Sequence, residues 1–278
     1  MPQRTLEAAW RRRRPAVMGI LNVTPDSFSD GGRFSSPPEA VRHGLEMVGD
    51  GADVVDVGGE STRPGSRGVD EAAEVARVLP VIEELARRCP SAAVSVDTSK
   101  AGVARAALAA GACLVNDVTA GRDPAMFDVV AAHGAGIVLM HMRGDPRTMQ
   151  ADTGYSDVVA EVHEFLADRA AAAIAAGIAP DGVMLDPGIG FGKDVEGNLR
   201  LLAALPDLAA LGHPVVVGAS RKSFIARLGA GEAPESRLAG SLAAIAGTVR
   251  LPRVVVRVHD VAETVRFLTV LGALEGAA

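Results

Sequence analysis

AVMGILNVTPDSFSDGG, residues 16–32, decides how the rest of the chain is read. Its first part, Ala16–Leu21, is apolar at every position, as a strand buried on both faces of a parallel sheet would be. Its second part, Asn22–Gly32, is too polar and too rich in Gly, Pro, Ser and Asp to be core. An apolar strand running into a polar loop is the unit to look for elsewhere. It recurs at Asp53–Val57, Ala93–Val96, Cys113–Val115, Gly136–Met140, Gly182–Leu185, Pro214–Val217 and Val254–Val258, which makes eight strands. Ala/Leu-rich segments of helical period lie between them: Pro38–Asp50, Asp70–Arg88, Gly102–Ala110, Pro124–His133, Ser156–Gly177, Gly197–Leu211 and Glu235–Thr248, with Val261–Leu274 closing the chain. Gly51, Gly111, Gly134, Gly177 and Gly212 each fall where a helix must stop before the next strand. Eight strand–helix units in 278 residues predict a (β/α)8 TIM barrel in a single domain, residues 16–278, behind an N-terminal basic segment, residues 1–15. A doubly wound open sheet is the competing architecture, weakened by the absence of a GxGxxG fingerprint after the first strand.

Composition narrows the class. Hydrophobic residues make up 48% and charged residues 22%, enough for a large core and unlike a disordered chain. The net charge of −6 argues against a general nucleic-acid binder. No run of about 18 apolar residues exists, so no membrane span and a cytoplasmic protein are expected. Arg11–Arg14 precede an apolar stretch but no small-residue cleavage pattern follows, so they read as a solvated basic run rather than a leader. Cys89 and Cys113 form no CxxC and have no His at metal spacing, and read as ordinary thiols.

The chemistry sits where the strands end. The eight strands run into Asn22; Asp56 and GGESTRPGS; Asp97; Asn116 and Asp117; Met140 and His141; Asp186 and PGIGFGK; GASRKS; and Arg257 and His259. In a barrel those ends converge on one face, where active sites lie. Asp97 followed by Thr98 also has the look of a helix cap. Eight polar strand ends together favour a site. Asp97, Asn116 and Asp186 offer acceptors for the paired N–H donors of an amino-pyrimidine ring. Lys222 can donate to a ring carbonyl or nitrogen, and Arg257 can stack on a ring and reach a phosphate. His259 lies two residues from Arg257, on the same face of the strand, and with Arg63 adds donors for an anion. Asn22 offers a neutral oxygen to a hard cation such as Mg2+. A helix starting near Ser223 would present N–H groups to a carboxylate or phosphate. The set describes a pocket for a polar bicyclic ring carrying a pyrophosphate.

NVTPDSFSDGG, DVGGESTRPG, SVDTSK, NDVTAG, MHMRGDPRTMQ, LDPGIGFGK, GASRKSF and RVHDV stand in that order between about Met18 and Val261. In these motifs the chain resembles the dihydropteroate synthase family. The resemblance implies a (β/α)8 barrel, a homodimer, and condensation of 6-hydroxymethyl-7,8-dihydropterin pyrophosphate with p-aminobenzoate, with Mg2+. It implies that Thr62, Asp97, Asn116, Met140, Asp186, Lys222, Arg257 and His259 bind the pterin pyrophosphate, with Asn22 on the metal. It implies that Phe28, Pro64, Phe191 and Ser223 form the p-aminobenzoate pocket, and that Asp30 and Arg63 join Asp97, Lys222, Arg257 and His259 in catalysis. The family mechanism resembles SN1 substitution through a pterin cation. Asp56 is read as a buried hydrogen-bonding acid of unassigned role, and MHMRGDPRTMQ as a long loop after the fifth strand. A noncatalytic pterin-binding paralogue and a corrinoid-linked methyltransferase of the same barrel are the alternatives.

Overall fold

The structure is a computed structural model that describes residues 10, 14–24, 36–61, 68–145 and 147–277. Eight strands pair in parallel and close on themselves in sequence order. They are β1 (Ala16–Asn22), β2 (Val54–Gly58), β3 (Ala93–Asp97), β4 (Leu114–Asp117), β5 (Gly136–Met140), β6 (Val183–Asp186), β7 (Val215–Val217) and β8 (Val254–Val258). The helices are α1 (Pro37–Gly49), α2 (Glu71–Arg88), α3 (Ala101–Ala109), α4 (Met126–Ala132), α5 (Val158–Ala175), α6 (Val195–Ala203), α7 (Leu205–Ala209), α8 (Ser223–Leu228), α9 (Leu238–Ile245) and α10 (Val261–Glu275). The (β/α)8 barrel expected from the sequence is the observed fold, and the open-sheet alternative is excluded. No helix among the described residues is long and apolar enough to cross a membrane.

Three local features depart from the sequence expectation. The segment expected as one helix over 197–211 is two, α6 and α7, because Pro206 has no N–H to continue the ladder and starts a new turn instead. The segment over 235–248 is α9 flanked by short 3-10 turns, Pro234–Ser236 and Ala246–Arg250. Arg14 is not solvated: its side chain is 9% exposed and donates to Asp53 Oδ2 at 2.9 Å and to the carbonyl of Gly51 at 3.1 Å. It ties the entrance of β1 to that of β2 at the end of the barrel away from the polar strand termini. Arg11–Arg13 lie outside the described residues. Gly51 and Gly111, at φ 100° and 111°, follow α1 and α3 in the left-handed region, where a side chain would be strained. The other three glycines of that series also have positive φ. Cys89 and Cys113 are both free thiols.

The barrel interior explains why the site lies where it does. One apolar layer takes a residue from every strand: Met18, Val54, Ala93, Leu114, Val138, Met184, Val216 and Val255, with Ala16 below Met18. Side chains two residues apart on a strand face the same way, and register partners on adjacent parallel strands share a face. Two positions further along, the inward residues become Ile20, Asp56, Ser95, Asn116, Met140, Asp186, Gly218 and Arg257. The apolar layer is a plug, and the next layer, joined by Asp97 one inward step beyond Ser95, is the floor of a polar cup.

Candidate active site

Arg257 of β8 crosses the cup and is held there by two acids. Its Nε donates to Asp56 Oδ2 at 2.7 Å and its Nη2 to Asp97 Oδ2 at 2.6 Å. The same Asp56 oxygen accepts from Asn116 Nδ2 at 2.9 Å. Asp56 is fully buried, and Asp97 and Asn116 are 6% and 4% exposed. An ionised carboxylate only accepts, so the amide group of Asn116 facing Asp56 is its NH2, and Asn116 Oδ1 is left as the acceptor it can show to a ligand. Asp56 is thus the node of the floor. The sequence assigned it no function, because nothing about an acid in mid-strand says which cation or amide it will meet across the barrel.

Asp97 does not cap α3. The N-cap position there is Lys100, and the backbone N–H of Ala101 instead donates to Asp123 Oδ2 at 2.9 Å. Burial pushes the Asp97 carboxyl up to about 7, against the pull of the Arg257 guanidinium. Burial also raises Asp186, opposed by the N–H of Gly188, which donates to Asp186 Oδ1 at 2.7 Å. Lys222 is pushed down to about 7 by burial, with Asp186 pulling it up. Its Nζ donates to the carbonyl of Ile189 at 2.8 Å and lies 3.9 Å from the centre of the Phe191 ring. An acid raised and a lysine lowered, set against each other in one cup, are the kind of displaced pair that marks functional sites.

The loop after β6, residues 187–193, is fixed through its carbonyls. Gly188 and Phe191 are bonded by Lys193, Ile189 by Lys222, Gly190 by Gln150 at 3.1 Å and Gly192 by the hydroxyl of Tyr155 at 2.9 Å. Lys193 is 3% exposed, and its Nζ also meets the carbonyl of His141 at 3.2 Å and its Nδ1 at 3.0 Å. His141, pushed down to about 3 by burial with Lys193 and Arg143 adding to it, is a packed histidine between Tyr155 and Phe165 rather than a group of the cup. Gly188, at φ 69°, has no room for a Cβ, which would lie 1.9 Å from the His141 carbonyl. Phe191 packs on Met140, Val118, Met142 and Met149, an apolar wall rising from the floor. The last two come from the long segment after β5, which is an irregular loop as expected.

Next round the barrel, Ser220 follows β7 and touches His259 at the end of β8, with Oγ 3.0 Å from Nδ1. Ser223 is exposed and is the first residue of α8, with Lys222 at the N-cap. Asn22 ends β1 beside Gly58. Asp97, Asn116, Met140, Asp186, Lys222, Arg257, His259 and Asn22 therefore all stand at the strand-end face, as the motif spacing required. Phe28, Asp30, Thr62, Arg63 and Pro64 lie outside the described residues.

Residues 18–259, which span every strand end just described, match the family of pterin binding enzymes. The chain belongs to that family. Among the family's named members it is 48% identical over 270 residues to the dihydropteroate synthase of Mycobacterium leprae, covering 92% of each chain. The Yersinia pestis dihydropteroate synthase, solved with a sulfonamide drug complex, superposes with a TM-score of 0.90 at 42% identity, covering 95% of both chains. The Xanthomonas albilineans dihydropteroate synthase with 4-aminobenzoic acid does so with a TM-score of 0.87 at 50% identity, covering 94% of this chain and 93% of that one.

Proposed function

We propose that the chain is a dihydropteroate synthase, joining 6-hydroxymethyl-7,8-dihydropterin pyrophosphate to p-aminobenzoate with release of pyrophosphate. The floor of Asp56, Asp97, Asn116, Asp186 and Arg257, closed above an apolar plug in a chain so similar to named synthases, is the observation that carries this reading. The pterin lies on that floor. Asp97, Asp186 and Asn116 Oδ1 accept from its ring N–H groups, Lys222 donates to the ring, and Met140 walls one side. Arg257 stacks on the ring, and with His259, Thr62 and Arg63 it meets the pyrophosphate.

The C–O bond to pyrophosphate breaks first, and the positive charge left on the pterin is stabilised by Asp97, Asp186 and Asp30. The arylamine then attacks that carbon from the mouth of the barrel, in a pocket of Phe28, Pro64 and Phe191, with Ser223 receiving its carboxylate. Groups fixed in advance on both sides of a separating charge pair need no reorganisation during the step, which is where such sites gain most of their rate. Mg2+ suits the position beside Asn22. A Cβ on Gly58 would lie 3.3 Å from Asn22 Oδ1 and 3.7 Å from Asp97 Oδ2, so glycine keeps a cradle between the two oxygens open. An ion there would take its other ligands from phosphate and water, and would offset charge on the departing pyrophosphate. Homodimerisation and a cytoplasmic location complete the proposal.

The decisive assay is pyrophosphate release from the dihydropterin pyrophosphate, with and without p-aminobenzoate and Mg2+. Mg2+-dependent release, with dihydropteroate formed when p-aminobenzoate is present, establishes the synthase. Pterin binding without release or product points to the noncatalytic paralogue.

Two further results are expected. Lys222→Ala should lower kcat/KM for the pterin substrate by roughly 10²–10³, the usual effect of losing one preorganised donor. Turnover like that of the wild type would remove Lys222 from the mechanism. The second concerns protons. A ring N–H prefers a carboxylate to a carboxylic acid, so pterin binding favours ionised Asp97. With its carboxyl at about 7 in the free protein, binding below that pH must expel a proton. Calorimetric titration with a pterin lacking the pyrophosphate, in buffers of different ionisation enthalpy, should therefore register proton release that fades as pH rises through about 7. Asp97→Asn should lose that release, leaving only the proton uptake by which Lys222, itself at about 7, becomes a full donor to the ring; release that persists in Asp97→Asn would reverse the assignment.

A further inference from the structure

One hydroxyl joins the segment after β7 to the end of β8. Ser220 Oγ accepts the backbone N–H of His259 at 3.2 Å and lies 3.0 Å from His259 Nδ1. Ser220 is 6% exposed, and these are its side chain's hydrogen-bond contacts among the described residues. A hydroxyl carries one hydrogen and two lone pairs. The backbone N–H occupies a lone pair, and the hydrogen of a nearly closed hydroxyl needs an acceptor, since an unmet buried donor is costly. His259 Nδ1 is the acceptor in reach. It must then be the unprotonated nitrogen, so a neutral ring carries its proton on Nε2.

The segment that carries Ser220 has little room to shift. The next residue, Arg221, donates through Nε and Nη2 to the two carboxylate oxygens of Asp260 at 3.1 and 2.5 Å. Its backbone N–H donates to Ser241 Oγ at 2.9 Å, and its carbonyl accepts from Arg237 Nη1 at 2.8 Å. Asp260 directly follows His259, so serine and histidine are braced by a second, charged link one residue along.

We propose that Ser220 is a positioning residue that holds His259 in its Nε2–H form, so that the ring offers a donor to the pyrophosphate. An Nδ1–H ring would turn a lone pair toward an anion, which repels it. The proposal rests on the reading of His259 as a pyrophosphate ligand, and its test has an arm for each. In full-length protein labelled with 15N-histidine, the long-range 1H–15N spectrum should report His259 with Nδ1 unprotonated and Nε2 protonated, the signal being identified by its loss in His259→Asn. Ser220→Ala should give a mixture of tautomers, and Ser220→Thr, which keeps the hydroxyl, should restore the wild-type pattern. In the second arm, Ser220→Ala should weaken binding of inorganic pyrophosphate and raise KM for the pterin pyrophosphate about tenfold, the effect of one hydrogen bond. Affinity for a pterin lacking pyrophosphate should not change, and Ser220→Thr should recover the loss. An Nδ1–H ring in the wild type overturns the proposal at its base. The expected tautomer with pyrophosphate binding unchanged in Ser220→Ala overturns instead the role of His259 from which the proposal starts.

Discussion

Arg257→Met is expected to abolish measurable turnover and to lower folding stability by about 3–5 kcal/mol, the usual cost of breaking a buried ion pair from one side. The size follows from what remains. Asp56 is fully buried and Asp97 nearly so, and the guanidinium that joins them is their shared cation. Without it, Asp97, already at about 7 with the guanidinium in place, is driven to its protonated form, and Asp56 beside it keeps only the bond from Asn116 Nδ2. Arg257→Lys keeps a charge but not the planar fork that meets two acids at once, and should recover only part of the stability. The combined variant Arg257→Met, Asp56→Asn, Asp97→Asn should regain much of the stability, because removing a whole buried charge set costs far less than orphaning half of it. It should regain no turnover. Urea unfolding and single-turnover pyrophosphate release separate the two effects. An Arg257→Met protein with the wild-type unfolding midpoint would mean that the floor is not held together as described.

How far the sequence reaches can be seen in that same cluster. The barrel was legible because the strands are mostly apolar on both faces and run into polar segments at their ends. Asp97, Asn116, Asp186 and Arg257 were legible as members of one site because a parallel barrel must bring those ends together. The partnerships among them were not. Asp56 and Arg257 are 201 residues apart, and their bond depends on the register of β2 against β1 and of β1 against β8. The helical segment over 197–211 failed for a local reason, since periodicity continues through Pro206 although the hydrogen-bond ladder does not. Arg14 failed for the opposite reason, because a basic run looks solvated until one of its members finds a buried acid across the fold. The parts of the substrate pocket on Phe28–Asp30 and on Thr62–Pro64 were read from motif alone and lie outside the described residues, which run to Thr24 and to Ser61 before them.

Lys193 carried no functional signal in the sequence: a lysine closing a glycine-rich loop usually points to solvent. Here it is buried, and Lys193→Met is expected to cost about 3 kcal/mol, because it leaves several buried acceptors unmet at roughly 1–3 kcal/mol each, with relaxation recovering part. Burial pushes this lysine down to about 7, with Asp186 opposing. The carbonyls of His141, Gly188 and Phe191 are nevertheless the partners an ammonium would choose. The kinetic consequence should be selective. Lys193 holds the Phe191 carbonyl at 2.8 Å, and the Phe191 ring is the surface on which Lys222 rests and against which p-aminobenzoate is proposed to stack. The floor beneath, built on Asp56, Asp97, Asn116 and Arg257, shares no bond with Lys193. Lys193→Met should therefore raise KM for p-aminobenzoate by roughly tenfold, the equivalent of about 1.4 kcal/mol. KM for the pterin pyrophosphate should rise by less, through the bond of Gly188 to Asp186 and the loss of a charge near Asp186. Lys193→Gln, a shorter donor, should fall between the two. If both KM values rose together, Lys193 would be supporting the whole cup and not the wall that receives the second substrate.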